Sequence, residues 1–124
     1  MEKKIRILTG DLKVEAELND SKTGQMIWEV LPIETKANLW GEEIYFSIPV
    51  KTGQEKGAKE VVSAGDLGYW PTGHAFCIFF GPTPASRGDE IRAASAVNII
   101  GKVLGDPKIF RKAKDGEKIV LEKA

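Results

Sequence analysis

One cysteine, one histidine, no excess charge of either sign and no long apolar run are the first features of this 124-residue chain. Each excludes something. With Cys77 alone there is no internal disulfide, and with His74 the only histidine a zinc site is short of its usual nitrogen and sulfur ligands. No run approaches the roughly 18 consecutive apolar residues of a membrane helix, and the first ten residues carry no signal-peptide hydrophobic stretch. The expectation is a soluble, cytoplasmic protein with no membrane partner. Lys plus Arg and Asp plus Glu both number 18 and are interspersed, so the basic patch that a nucleic-acid partner requires is not expected. Glycine-rich phosphate loops, nucleophile elbows, paired carboxylates and metal motifs are also missing, which removes most enzyme classes, and no cofactor or metal is expected.

Asparagine is confined to Asn19, Asn38 and Asn98 and glutamine to Gln25 and Gln54, while 29% of residues are charged, a composition resembling that of heat-adapted proteins. With 42% hydrophobic residues, a chain of this length suits one core and a single domain over 1–124. Apolar alternation in 3–18 (Ile5, Ile7, then Leu12, Val14, Ala16, Leu18) around Gly10-Asp11 predicts a β-hairpin. Asn19, Asp20 and Ser21 supply N-cap chemistry for a short amphipathic helix weakened by Gly24 and stopped by Pro32. A second hairpin is expected over 33–48 around Gly41-Glu42. The Val61-Val62 pair and 67–70 predict short strands, and 75–80, apolar on both faces, a strand covered on both sides. Residues 81–96 read as a long loop and 97–104 as a strand. Asp106-Pro107 then opens a short helix, and 118–122 a last strand. About eight strands and two short capping helices predict a closed antiparallel β-barrel.

Several stretches carry a family resemblance. Ala75-Phe76-Cys77-Ile78-Phe79-Phe80, an irregular loop and Val97-Asn98-Ile99-Ile100-Gly101-Lys102-Val103 resemble the second half of a cyclophilin. Asn38-Leu39-Trp40-Gly41-Glu42-Glu43-Ile44-Tyr45-Phe46, Gly65-Asp66-Leu67-Gly68-Tyr69-Trp70-Pro71 and Ser95-Ala96-Val97-Asn98-Ile99-Ile100-Gly101-Lys102 resemble a group of small prokaryotic cyclophilin-like proteins. The resemblance implies a cyclophilin-like barrel with a ligand groove on its outer face. It also implies that Ala37 stands where active prolyl isomerases carry an arginine, that Glu42, Glu43 and Tyr45 replace their Phe, Met and Gln, and that Ala75 and Cys77 replace pocket residues of the next strand.

If Gly41-Glu42 is a two-residue turn, Trp40 faces Glu43, Asn38 faces Tyr45 and Lys36 faces Ser47, all on the side opposite Leu39, Ile44 and Phe46. That band could grip a ligand between an indole and a carboxylate; alternatively its aromatics are half-buried packing. Tyr69, Trp70 and His74 cluster at a rigid Pro71 turn that could form the pocket's edge, His74 being a structural or exposed group unless it acts as acid or base. Arg87 or Arg92, from the 81–96 loop, could replace the absent guanidinium, or simply face solvent. Cys77 reads as a small buried hydrophobe. The candidate ligand-binding set is therefore Asn38, Trp40, Glu43, Tyr45, Tyr69, Trp70, His74 and Arg87, with no catalytic residue assigned. Three functions compete: a groove that binds a small polar or aromatic molecule or a peptide segment, a prolyl isomerase with an altered site, and an assembly component, on a chain that is a monomer or weak homodimer.

Overall fold

Gly10, with φ +55°, makes the turn between β1 (Lys3–Thr9) and β2 (Leu12–Leu18), whose register brings Thr9 opposite Leu12 and Ile7 opposite Val14. The computed structural model describes residues 3–124; Met1 and Glu2, the first residues of the predicted domain, lie outside the described residues. Helix α1 (Lys22–Val30) follows, with the Ser21 hydroxyl accepting from the Gly24 amide at 3.0 Å. Gly24 is more than a weak helix former, because a Cβ there would stand 2.6 Å from the Asn19 carbonyl oxygen.

The rest of the chain adds β3 (Ile33–Lys36), β4 (Asn38–Leu39), β5 (Glu43–Ser47), β6 (Lys59–Val62), β7 (Asp66–Trp70), β8 (Ala75–Phe79), β9 (Ile91–Val103) and β10 (Lys118–Lys123). All pairings are antiparallel, in the order β3-β10-β1-β2-β9-β7-β8-β5-β4, with β6 joined to β9 outside that path. Two 3₁₀ segments, Pro71–Gly73 and Pro107–Lys112, complete the fold, the second capped by Asp106 accepting from the Lys108 amide at 3.0 Å.

Three expectations need correction. The sheet is not closed by hydrogen bonds: its two edges, β3 and β4, are consecutive in the chain and meet through Ala37, so the backbone itself turns the corner. The predicted first arm of the 33–48 hairpin is split there, because the Ala37 amide and carbonyl bond to Glu117 and Gly116 instead of to β5. Lys36 consequently opposes Lys118, and Ser47 opposes Ala75. The strand predicted over 97–104 starts at Ile91, since the small side chains of Ala93, Ala94, Ser95 and Ala96 conceal its alternation.

Two apolar clusters result. The larger fills the concave side of the sheet with Ile5, Ile7, Ile44, Leu67, Ile78, Ile100, Leu121 and a stacked Phe46–Phe76 cross-strand pair at 5.4 Å, joined by Ile27 of α1 and by Phe110. A smaller one, built on Ala75, Cys77, Phe79, Ile91, Ala93 and Val97, lies on the other side of β8. Strand β8 is therefore buried on both faces throughout, as its continuous apolar sequence predicts.

Strands β2 and β9 approach so closely at Gly101 that a Cβ there would lie 2.1 Å from the Glu17 carbonyl oxygen. Gly101→Ala should lower the unfolding free energy by about 1–3 kcal/mol, whereas Gly53→Ala, in open space, should change it by less than about 0.5 kcal/mol. Urea midpoints at constant slope measure both.

Candidate functional site

The second cluster exists because β9 serves two ladders. Residues from Asn98 onward pair with β7 and then β2, while Ile91, Arg92 and Val97 pair with β6. The first half of β9 thus lies over the outward side of β5, β8 and β7. Alternation on those strands decides which side chains meet it: Ile44, Phe46, Phe76, Ile78, Leu67 and Tyr69 belong to the main core, so Glu43, Tyr45, Cys77 and Trp70 fall on the opposite face.

Between these layers is a cavity of about 270 Å³ lined by Trp40, Glu43, Tyr45, Trp70, Ala93, Ala94 and Val97. Trp40 arrives from the β4–β5 hairpin, where its amide donates to the Glu43 carbonyl at 2.9 Å. Gly41, at φ +62°, makes the turn, and a Cβ on it would be 2.8 Å from Pro84 and 2.9 Å from Thr83. The hairpin tip is thereby seated on the loop after β8, where the Glu42 amide donates to the Pro82 carbonyl at 2.9 Å. That loop is held in turn by Thr83, whose hydroxyl donates to the Arg92 carbonyl, and by Ser86, whose hydroxyl accepts from the Arg92 amide at 3.1 Å. The Trp70 indole N–H donates to the Ser95 hydroxyl at 2.6 Å, and a Cβ on Gly73 would collide with the Trp70 ring at 2.7 Å. Gly68 leaves room for Val97, which a Cβ there would approach to 3.0 Å.

Glu43 is the unusual member. It is 5% exposed and forms no ion pair among the described residues. Burial pushes its carboxyl up from the ordinary 4.5 to about 7, an effect partly offset by the neighbouring polar thiol of Cys77, diagonally across on β8. Cys77 is itself raised well above the usual thiol range by burial and by the neighbouring carboxylate, which keeps it protonated and unreactive as a nucleophile. Two guanidiniums from the surrounding elements are occupied: Arg92 of β9 with Glu90 (2.6 Å) and Glu60 (3.1 Å), and Arg111 with Glu42 (2.5 Å). Neither lines the cavity, so the carboxyl faces rings and methyl groups with no cation among the described residues to compensate it.

Of the eight residues singled out from the sequence, Trp40, Glu43, Tyr45 and Trp70 meet at the cavity. Four do not. Tyr69 sits one position off the outward alternation, so it is fully buried in the main core with its hydroxyl donating to the Val50 carbonyl at 2.6 Å. Asn38 is exposed and its amide donates to the Tyr45 carbonyl at 3.1 Å. His74 is exposed in a left-handed conformation (φ 48°) where the 3₁₀ turn ends, and Arg87 is exposed in the β8–β9 loop. The cross-strand pairing of Asn38 with Tyr45 and the Trp40–Glu43 bond follow the predicted hairpin register. Ala93, Ala94 and Val97 were not foreseen as lining residues; the signal was a run of small side chains, which leaves space where larger ones would fill it. Among the described residues no group of three His, Cys, Asp or Glu side chains is placed to hold a metal.

Comparison with known proteins bears on this architecture directly. The model of the family described as cyclophilin-like matches residues 3–122. The chain belongs to the cyclophilin-like family. The solution structure of a hypothetical protein from Archaeoglobus fulgidus is similar to it at 41% identity, covering 99% of this chain and 95% of that one, with a TM-score of 0.84. No curated protein matches the chain. Within this cyclophilin-like fold, Ala37, the residue that the resemblance aligns with the isomerase arginine, is fully buried in the main core and does not face the cavity.

The carboxyl gives the site a signature in stability. Below pH 4.5 Glu43 is protonated in both the folded and unfolded chain; between 4.5 and about 7 the unfolded chain ionises first, so stability falls as pH rises, and above 7 the loss is complete. The facing elements bring one other titratable group beside it, Cys77 on β8, which stays a thiol over this window, while β9 presents only Ala93, Ala94 and Val97. Glu43→Gln should remove the effect. Urea unfolding at about pH 5 and about pH 8 should show the wild type losing about 2–3 kcal/mol relative to the variant.

Proposed function

We propose that this cyclophilin-like chain is a single-domain binding protein, monomeric or weakly dimeric, that holds a small ligand bearing one polar group in the cavity between β5, β8, β7 and the first half of β9. The carrying observation is the buried Glu43 carboxyl, without a cationic partner among the described residues and opening into a space walled by two indoles, a phenol ring and small aliphatic groups. Concave, mainly apolar sites with one or a few fixed polar groups are the usual form of small-molecule pockets. The aromatic walls are held from behind by Ser95, Gly73 and the Pro82–Pro84 contacts, so the site is formed before a ligand arrives, which lowers the ordering cost of binding. A buried, unpaired Cys77 suits a reducing compartment, in keeping with a cytoplasmic protein. Among the described residues no helix is long and apolar enough to cross a membrane.

Binding without turnover fits the chemistry better than prolyl isomerisation does. Rotation about a peptide bond has a barrier of about 18–20 kcal/mol, and the cavity lining offers no guanidinium to the amide.

A fragment screen read by thermal shift should yield compounds that stabilise the protein, and Trp40→Ala should weaken them at least about tenfold. Fragments that bind the variant unchanged would place the ligand elsewhere. In a protease-coupled assay on several X-Pro peptides, the protein should leave the uncatalysed relaxation of tens to hundreds of seconds unaltered; clear acceleration would instead establish isomerase activity.

A further inference from the structure

We infer that the ligand of this cavity is a small organic cation, an alkylated ammonium compound held by the faces of Trp40, Tyr45 and Trp70 with its charge toward Glu43. This rests on the preceding reading of the cavity as a binding site and specifies what enters it. Three observations carry it. Three aromatic side chains converge on one cavity of about 270 Å³, and aromatic walls attract cations through the ring quadrupole, more strongly where water is displaced. The one charged group among the lining residues is a carboxyl, 5% exposed, with no cationic partner among the described residues; an ionised carboxylate out of water is costly unless an opposite charge joins it. The indole N–H of Trp70 is already committed to Ser95 at 2.6 Å, so that ring is left to act by its faces and edges and not as a donor to a ligand oxygen. An anionic ligand would meet carboxylate repulsion with no guanidinium or ammonium in the lining, and a neutral apolar one would leave Glu43 uncompensated.

An alkylated ammonium is favoured over a bare amine because its methyl or methylene groups match the apolar lining of Ala93, Ala94 and Val97 and it carries few or no N–H groups needing acceptors. The chain itself provides a smaller example of the same attraction, with the Lys123 ammonium 4.6 Å from the centre of the Trp28 ring. The cavity's volume suits a whole small cation, so we assign a free compound and not the side chain of a protein partner.

Choline and its uncharged carbon isostere, dimethylbutanol, provide a comparison of near-identical shape on the wild-type protein, read by amide chemical shifts. Choline is expected to bind about tenfold more tightly than the isostere, to perturb residues around Trp40, Glu43 and Trp70, and to lose that advantage in Glu43→Gln while isostere binding persists. Equal or tighter binding of the isostere, or a choline affinity unchanged by Glu43→Gln, overturns the cation assignment but leaves a working pocket. Binding of a trimethyl-lysine peptide without binding of choline overturns the assignment to a free compound. If neither small probe binds while neutral fragments still occupy the cavity, the cation assignment fails; if no compound of any charge occupies it, the binding reading itself falls.

Discussion

Strand β9 is shared between two ladders, and the candidate site depends on that division. Its second half is a member of the main sheet, paired with β7 and β2, while its first half pairs with β6 and lies over the outward side of β5, β8 and β7. A strand that stayed in one sheet along its length would leave Glu43, Tyr45 and Trp70 on an open surface. A register shift in the β7–β9 ladder, with Ile100 extra between the Gly68–Ile99 and Leu67–Gly101 pairs, follows just after the strand passes from β6 to β7, and extra residues of this kind bend and twist a strand. Gly68 and the alanines of β9 set how closely the second layer descends: small enough to approach, too small to fill the space they enclose.

Enclosure changes the chemistry of the carboxyl. In water a glutamate is an ordinary anion; under β9 the same group is largely withdrawn from water and, among the described residues, acquires neither an arginine nor a lysine in exchange. Its charge is carried at a cost to stability, and residues that lower stability without an internal partner are often those retained for function. The surrounding charges are arranged to leave it alone. Arg92 is saturated by Glu60 and Glu90, and Arg111 by Glu42, immediately before Glu43 in the chain, so neither has reason to bend into the cavity.

The chain shares the fold of the cyclophilin-like family to which it belongs. Ala37, which the resemblance aligns with the isomerase arginine, is fully buried at the corner, with both backbone groups bonded to the segment leading into β10. The edges of the sheet are joined by chain connectivity through this residue and not by a ladder, so the position is committed to holding the fold together. Fold membership therefore says little about activity in this case, and the side chains of the cavity carry the functional argument.

Much of the molecule was legible in the residue pattern. Period-two alternation marked β1, β2, β5 and β10, Gly10 and Gly41 marked the turns, and Ser21 and Asp106 marked the two capped segments, because each signal is local: a side-chain alternation, a positive φ or a side-chain oxygen near a free amide. The hairpin register that brings Trp40 beside Glu43 is also local and followed from Gly41-Glu42 alone. What the sequence could not express was which distant strand each face would meet. Tyr69 and Trp70 are adjacent aromatics with similar propensities, and only the placement of the sheet between two layers sends one to the core and the other to the cavity. The corner at Ala37 and the extension of β9 back to Ile91 were likewise decided by tertiary pairing, where long-range hydrogen bonds outweigh what a run of small residues or an alternating arm prefers by itself.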